Sequence, residues 1–441
     1  TRHLGQTGFG VYTTAVTFLT MFGVIVDFGL TLTFVQMIST DSMDEKRMAG
    51  DLFGLRLVSG IILYSLAPFI VLLFSYPYEV NMAVIAGAVA FFFLSACGML
   101  IGIFQKHLVI WRYALGEIIQ RSIFLGLIGL FAWLGYGVVA MLIAMAIANV
   151  LWLFITIRLA RPLIKVRPHF DVNVWKEALR RSWPLALAAF FNLLYLKGDI
   201  IFLAYFRDQA EVGVYGVAYR ILDVLTALPT MFMGLLLPAL TGFWTTKNKF
   251  DFNLYLQKTF DFFIIFMIPI AIGAQVVAED LALLIAGAGY EASGAVFKIL
   301  AVAVLGVFLG TLFGHTVVAL NKQRVMVWGY AATAVFTIAG YLIYIPSHGM
   351  WGAAWMTLFS EIMIALLTFY VVYRYARVSI NLMLTVKVLL ASGVMYVVLQ
   401  YVETPHVLLT ITFGAIVYGL TLLLVARNSL SGISALLKPK K

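Results

Sequence analysis

Apolar residues run through this chain in long stretches that are hydrophobic on every helical face, divided by short polar connections. Thirteen such stretches are read, near residues 9–37, 52–75, 81–104, 109–134, 137–160, 184–206, 211–238, 258–278, 294–320, 325–346, 350–373, 383–402 and 406–426. A helix needs about 20 apolar residues to cross roughly 30 Å of hydrocarbon. A helix of a soluble core keeps a polar face, and these do not. Only helices and closed barrels satisfy their backbone in lipid. The pattern therefore predicts an all-α polytopic membrane protein.

Charge sorts the connections into two alternating kinds. One set is basic: Lys46 and Arg47; Lys106 and Arg112; Arg158 through Arg181; Lys247, Lys249 and Lys258; Lys322 and Arg324; Arg374, Arg377 and Lys387; then Arg427, Lys438, Lys440 and Lys441. The other set, near 76–81, 134–137, 207–211, 279–291, 346–350 and 402–406, has almost no Lys or Arg. Basic loops stay in the cytoplasm, so the C-terminus is expected there too. Composition agrees, with 63% hydrophobic and 11% charged residues. The net charge of +10 is read as loop positioning and not as a nucleic-acid surface. Cys97 is the sole cysteine and lies within an apolar run, which excludes a disulfide framework or a cysteine metal site.

The chain also repeats itself. Gly10-Val11-Tyr12 recurs as Gly213-Val214-Tyr215, Pro68 as Pro269, Trp111-x-Tyr113-Ala114 as Trp328-x-Tyr330-Ala331, and Gly137 as Gly352. The spacing is roughly 200 residues and widens where Ala278–Ser293 replaces the shorter Ser75–Asn81. The second copy begins with a span, Pro184–Phe206, that the first copy lacks, and the chain opens on Thr1. Hence the expectation of a missing first helix, and of two six-helix lobes in parallel pseudo-twofold repeat plus a C-terminal helix pair. The expected divisions are an N-lobe over 1–160, a cytoplasmic linker over 161–183, a C-lobe over 184–378, and a terminal pair with basic tail over 379–441. Val174–Arg181 is expected to form an interfacial amphipathic turn.

Several short motifs carry a family resemblance. They are Leu4-Gly5-x-x-Gly8-Phe9-Gly10-x-Tyr12 with Asp27-Phe28-Gly29-Leu30, then Trp183-Pro184-Leu185, Asp199-Ile200, Glu211-Val212-Gly213-x-Tyr215 and Ala218-Tyr219-Arg220. With these the chain resembles the lipid-linked oligosaccharide flippases of the multidrug/oligosaccharidyl-lipid/polysaccharide exporter superfamily. The resemblance implies two bundles around a central cavity, alternating access, and a polyprenyl-diphosphate-linked glycan as substrate. It implies a prokaryotic plasma (inner) membrane location, a place in polysaccharide or O-antigen synthesis, and membrane lipids and a polysaccharide polymerase or export machinery as partners.

Charges within spans are costly and mark function by default. Arg56, Arg121, Lys197 and Arg220 are the candidate substrate contacts, since a diphosphate must leave water and a guanidinium fork binds two of its oxygens. Arg121 and Arg220 are expected to face each other across the lumen. Glu117 precedes Arg121 by one helical turn and Asp223 follows Arg220 by three residues, so both pairs can also be read as neutralised helix glue. Arg56 can be read as snorkelling to the interface. No GxxxxGK[ST] run encodes an ATP loop. An ion gradient, the membrane potential or consumption of product is left as the driver, with no cofactor and no metal expected. Asp27, Glu117, Asp199, Asp223 and Glu361 are the coupling candidates. Gly306, Gly310 and Gly314 form a small-residue row, read as packing first and as a gliding contact between lobes second.

Rival readings stay open. Within the superfamily they are a peptidoglycan-precursor flippase or a cation-coupled multidrug exporter, the latter expected to show an acidic, aromatic cavity. An integral membrane glycosyltransferase or acyltransferase needs an acid or histidine cluster at a membrane face and large polar loops, and neither is seen. A non-transporting scaffold leaves the intramembrane charges unexplained.

Overall fold

The computed structural model describes residues 1–38, 45–402 and 404–430. These residues pack as two compact units, one over His3–Gly213 and one from Val214 onward together with Thr1–Arg2. The packing division follows contacts and the repeat division follows sequence similarity, so the helix before Gly213 counts with the first unit in one scheme and with the second in the other. Lys438, Lys440 and Lys441 of the expected basic tail lie outside the described residues.

The first unit holds α1 (Gly5–Asp27), α2 (Leu30–Ile38), α3 (Glu45–Val71), α4 (Tyr78–Lys106), α5 (Ile110–Trp133), α6 (Val138–Ala160) and α7 (Val172–Phe206). Phe28 and Gly29 both take positive φ, 44° and 70°, and split the predicted 9–37 stretch into α1 and α2. The Phe28 N–H still bonds to the Val24 carbonyl, so the helix closes as a left-handed C-cap does. A core of Leu30, Phe34, Leu52, Phe53, Met99, Leu100 and Ile103 joins α2, α3 and α4. Ile164 and Ala178 also enter it, from the segment that leads into α7 and from α7 itself.

The second unit begins within α8 (Gln209–Thr245) and continues with α9 (Lys249–Ala286), α10 (Glu291–Ala319), α11 (Gln323–Ala376), α12 (Met383–Gln400) and α13 (Val407–Leu430). At 54 residues α11 would be about 81 Å long if straight, far beyond one bilayer crossing. Gly349 (φ 54°, ψ −133°) breaks it, and its two arms match the predicted spans 325–346 and 350–373. The second arm packs along α10, where the small-residue row lies. A Cβ on Gly306 would sit 2.7 Å from the Glu361 carbonyl carbon, and Gly310 faces Ile364 and Ala365. That row therefore serves packing inside one unit, and no gliding contact between lobes is needed to explain it.

Twelve described helices, counting α11 once, are long and apolar enough to cross a membrane. Large apolar side chains such as Phe69, Leu125, Leu235 and Leu424 stand exposed on them. Hydrocarbon is the solvent in which that exposure costs nothing. Several helices run past the apolar stretches that predict them because polar caps extend them. The Asp171 carboxylate accepts from the Asn173 N–H at 2.9 Å and starts α7, and the Asn248 side chain caps α9. As a result Val174–Arg181 is the first part of one 35-residue helix and not a separate interfacial turn.

Candidate functional site

The break between α1 and α2 sets Asp27 at the end of one helix and Thr31 in the first turn of the next, both beside Arg56 of α3. Arg56 is 3% exposed, and its Nη2 pairs with Asp27 Oδ1. The same nitrogen donates to Thr31 Oγ1 at 2.8 Å, and Thr31 donates to Asp27 Oδ1 at 2.5 Å. Arg56 Nε and Nη1 are buried and have no partner among the described residues. Asp27 is 39% exposed, so this buried ion pair is open on its acidic side. Burial leaves two nitrogens of this guanidinium without a bond and closed to water in this conformation. Arg56 is therefore not a snorkelling residue; the α1–α2 break holds it inside the bundle.

On α5 the expected i,i+4 pair is formed. Arg121 Nη2 and Nε donate to Glu117 Oε1 at 2.6 and 3.1 Å. Only Tyr113, Gly116 and Gln120 of this helix are buried, and the Arg121 side chain is 75% exposed. A deeper polar chain lies behind it. Gln120 donates to Asn149 Oδ1 at 3.0 Å, and Asn149 donates to the Ala90 carbonyl at 2.9 Å, fixing α5, α6 and α4 together.

Lys197 and Asp199 stand two residues apart on α7 and diverge as that spacing requires. Lys197 is half-buried, while Asp199 is fully buried and accepts the Ile200 N–H at 2.8 Å. Arg220 is exposed on α8 and Asp223 is half-buried one turn on. Glu361 is buried in the second arm of α11, near Thr357 and Ser360 of the same helix, which are buried too. The structure thus brings Asp27 together with Arg56 and Glu117 together with Arg121. Arg121 belongs to the first unit and Arg220 to the second. Outside the spans, the Glu211 carboxylate bonds to Arg207 at 2.7 Å and raises the guanidinium above its ordinary pKa.

Three cavities accompany these charges. One of about 970 Å³ in the first unit is lined by Thr7, Val11, Glu79, Tyr136, Arg207 and Gln209 among others. A groove of about 580 Å³ lies between α3 and α4 around Tyr64 and Pro68. One of about 410 Å³ in the second unit runs between α9, α12 and α13. None is lined by a candidate charge. Among the described residues no group of three His, Cys, Asp or Glu side chains could hold a metal ion. Sequence reading missed two polar clusters, Gln120 with Asn149 and Asp51 with His169 and Asp171, because their members lie far apart in the chain.

Residues 1–244 match the family described as polysaccharide biosynthesis protein. No curated protein matches the sequence. The fold is similar to that of the lipid II flippase MurJ in an inward closed conformation, at TM-score 0.79 and 17% identity, covering 96% of this chain and 94% of that one. It is also similar to an inward-facing multidrug resistance MATE family transporter, at TM-score 0.66 and 14% identity over 84% and 93% of the two chains. A third similar fold is a MOP superfamily transporter from Pyrococcus furiosus described as having a binding pocket of reverse polarity, at TM-score 0.55 and 15% identity over 84% and 88%. At these identities the likeness is one of fold alone.

Proposed function

Since the chain belongs to the polysaccharide biosynthesis protein family, we propose that it carries a polyprenyl-diphosphate-linked oligosaccharide from the inner to the outer leaflet of a prokaryotic plasma membrane. The observation that carries this reading is the exposure of mid-span cations. Arg121, three-quarters exposed, and Arg220, also exposed, sit on helices otherwise apolar enough to cross a bilayer. An arginine facing hydrocarbon at that depth costs at least about 2.5 kcal/mol, so such faces belong against water or an anionic ligand. A diphosphate head group is such an ligand, and the glycan it bears is polar enough to share a wet path. Arg56 and Lys197 are further contacts in this reading. Alternating access moves the head group while the polyprenyl tail remains in lipid.

Glu117 neutralises Arg121 only in part, since one carboxylate oxygen takes both of its bonds and the guanidinium still has free donors to offer. Coupling falls most naturally to acids buried within the bundle. Asp199 and Glu361 are buried, where taking up a proton or sodium ion changes the local charge most. Asp27 and Glu117 remain coupled to their arginines, so protonating either would release a cation toward substrate. Asp223 completes the candidate set. Synthesis of O-antigen or a related surface polysaccharide is the process this activity serves, with a polymerase or export machinery downstream.

A second reading, a peptidoglycan-precursor flippase, is favoured by the likeness of fold to the lipid II flippase. It keeps the diphosphate chemistry and changes only the glycan. The test is surface glycan in cells that express Arg121→Ala or Arg220→Ala at normal protein level. Loss of glycan in both, with partial retention by Lys at either position, is expected. Normal glycan in both Ala variants would remove the basic path from the account.

A further inference from the structure

The sequence predicts a cytoplasmic linker between two lobes over 161–183, and up to Asp171 it is the irregular connection between α6 and α7. The structure gives it a buried anchor. Asp51, 1% exposed on the inner face of α3, pairs through Oδ1 with His169 Nδ1. The same oxygen accepts the Asp171 N–H at 3.0 Å, and the Asp51 carbonyl accepts Trp175 Nε1 at 2.7 Å. The His169 N–H donates to the Gly50 carbonyl at 3.0 Å. Gly50 and Gly54 lie one helical turn apart, under the carbonyl oxygens of Arg167 and His169, where a Cβ at either would overlap them. Arg47 meets the Asp171 carboxylate at 3.5 Å, and Asp171 in turn caps α7. Ile164 within this connection and Ala178 after it are both in the first unit's core.

The far end of α7 is held to the same unit. Tyr76 donates to the Ile201 carbonyl at 3.1 Å, and Thr14 donates to Gln209 Oε1 at 2.8 Å just past the helix. Gly10 and Gly213 let α1 and the first turn of α8 touch backbone to backbone.

We propose that this connection is a fixed strap and not a tether: Asp51 pins Arg167–Asp171 to α3, and α7 moves with the first unit as one body. Motion during transport is then taken up beyond Gly213 and not in this connection. One carboxylate, two glycines and an apolar anchor on each side suffice to hold the strap. Asp51 Oδ2 is buried and unpartnered, so the side chain has no other bond to keep it there once the strap leaves.

Backbone hydrogen exchange of the full chain in lipid nanodiscs tests the strap without any substrate. In wild type the His169 and Asp171 amides are expected to exchange at least ~100-fold slower than an unstructured peptide. Asp51→Ala and Gly54→Val should each speed them at least ~10-fold while α10 exchanges as before, and Glu177→Ala, an exposed change on α7, should not. Wild-type amides at peptide rates, or both strap variants at wild-type rates, would overturn the proposal. Where Asp51→Ala does not fold, Gly54→Val and the wild-type rates decide. The motion is tested by a short thiol crosslink between D51C and H169C in a C97A background, an arm that rests on the transport reading above. Transport at half or more of the uncrosslinked rate is expected, and less than half overturns the claim that the strap stays docked. Because exchange is read without substrate, a chain that transports nothing is distinguishable from one whose strap is loose.

Discussion

The Asp27–Arg56 pair predicts an asymmetry between its two single truncations. Arg56 is 3% exposed, so Asp27→Ala strands a guanidinium that cannot rehydrate and retains only Thr31. Breaking a buried pair in this way costs about 3–5 kcal/mol. The reverse change, Arg56→Ala, leaves a carboxylate that is 39% exposed and can take up water. Its loss is then nearer that of a partly screened pair plus one hydrogen bond, about 1–2 kcal/mol. The Asp27 variant should therefore be the less stable by about 2 kcal/mol, the difference between those two ranges. Replacing both residues by apolar ones of similar size should recover most of the loss, since no unpaired charge is left. Unfolding in mixed micelles, followed by tryptophan fluorescence, measures all three proteins. Equal losses for the two single variants, or a larger loss for Arg56→Ala, would refute the burial asymmetry on which this reasoning rests.

Two further outcomes follow from packing. Gly306→Val should destabilise the second unit by about 1–3 kcal/mol, because its Cβ would sit 2.7 Å from the Glu361 carbonyl carbon and 2.9 Å from its oxygen; thermal unfolding in detergent measures it, and a wild-type midpoint would contradict the close approach. Asn149→Ala should cost about 1–3 kcal/mol by stranding the buried Gln120 amide and the Ala90 carbonyl, and Gln120→Leu on the same background should win part of that back.

Span positions were legible because hydrocarbon demands length, and length is written in the sequence. The two arms of α11 match the two predicted spans, since Pro346 and Gly349 interrupt an otherwise continuous helical run. The break at Phe28 was not read from the same pattern. A bulky apolar residue in the left-handed region has no compositional mark, although Asp27-Phe28-Gly29 stood out as a motif. Glu117–Arg121 could be read from one-turn spacing, which makes neighbours on any helix. Asp27–Arg56 and Asp51–His169 could not, because each joins residues whose proximity depends on how helices pack. Helix ends ran long wherever a polar cap such as Asp171 or Asn248 continued a helix beyond its apolar stretch.

The central claim is that cations within the spans move an anionic glycolipid head across the bilayer. Translocation of a labelled polyprenyl-diphosphate oligosaccharide by the purified chain in liposomes tests it most directly. A charge-assisted bond to diphosphate is worth about 1.5–3 kcal/mol, so Arg121→Ala and Arg220→Ala should each slow translocation at least about tenfold. Both Ala variants translocating at the wild-type rate would contradict the account.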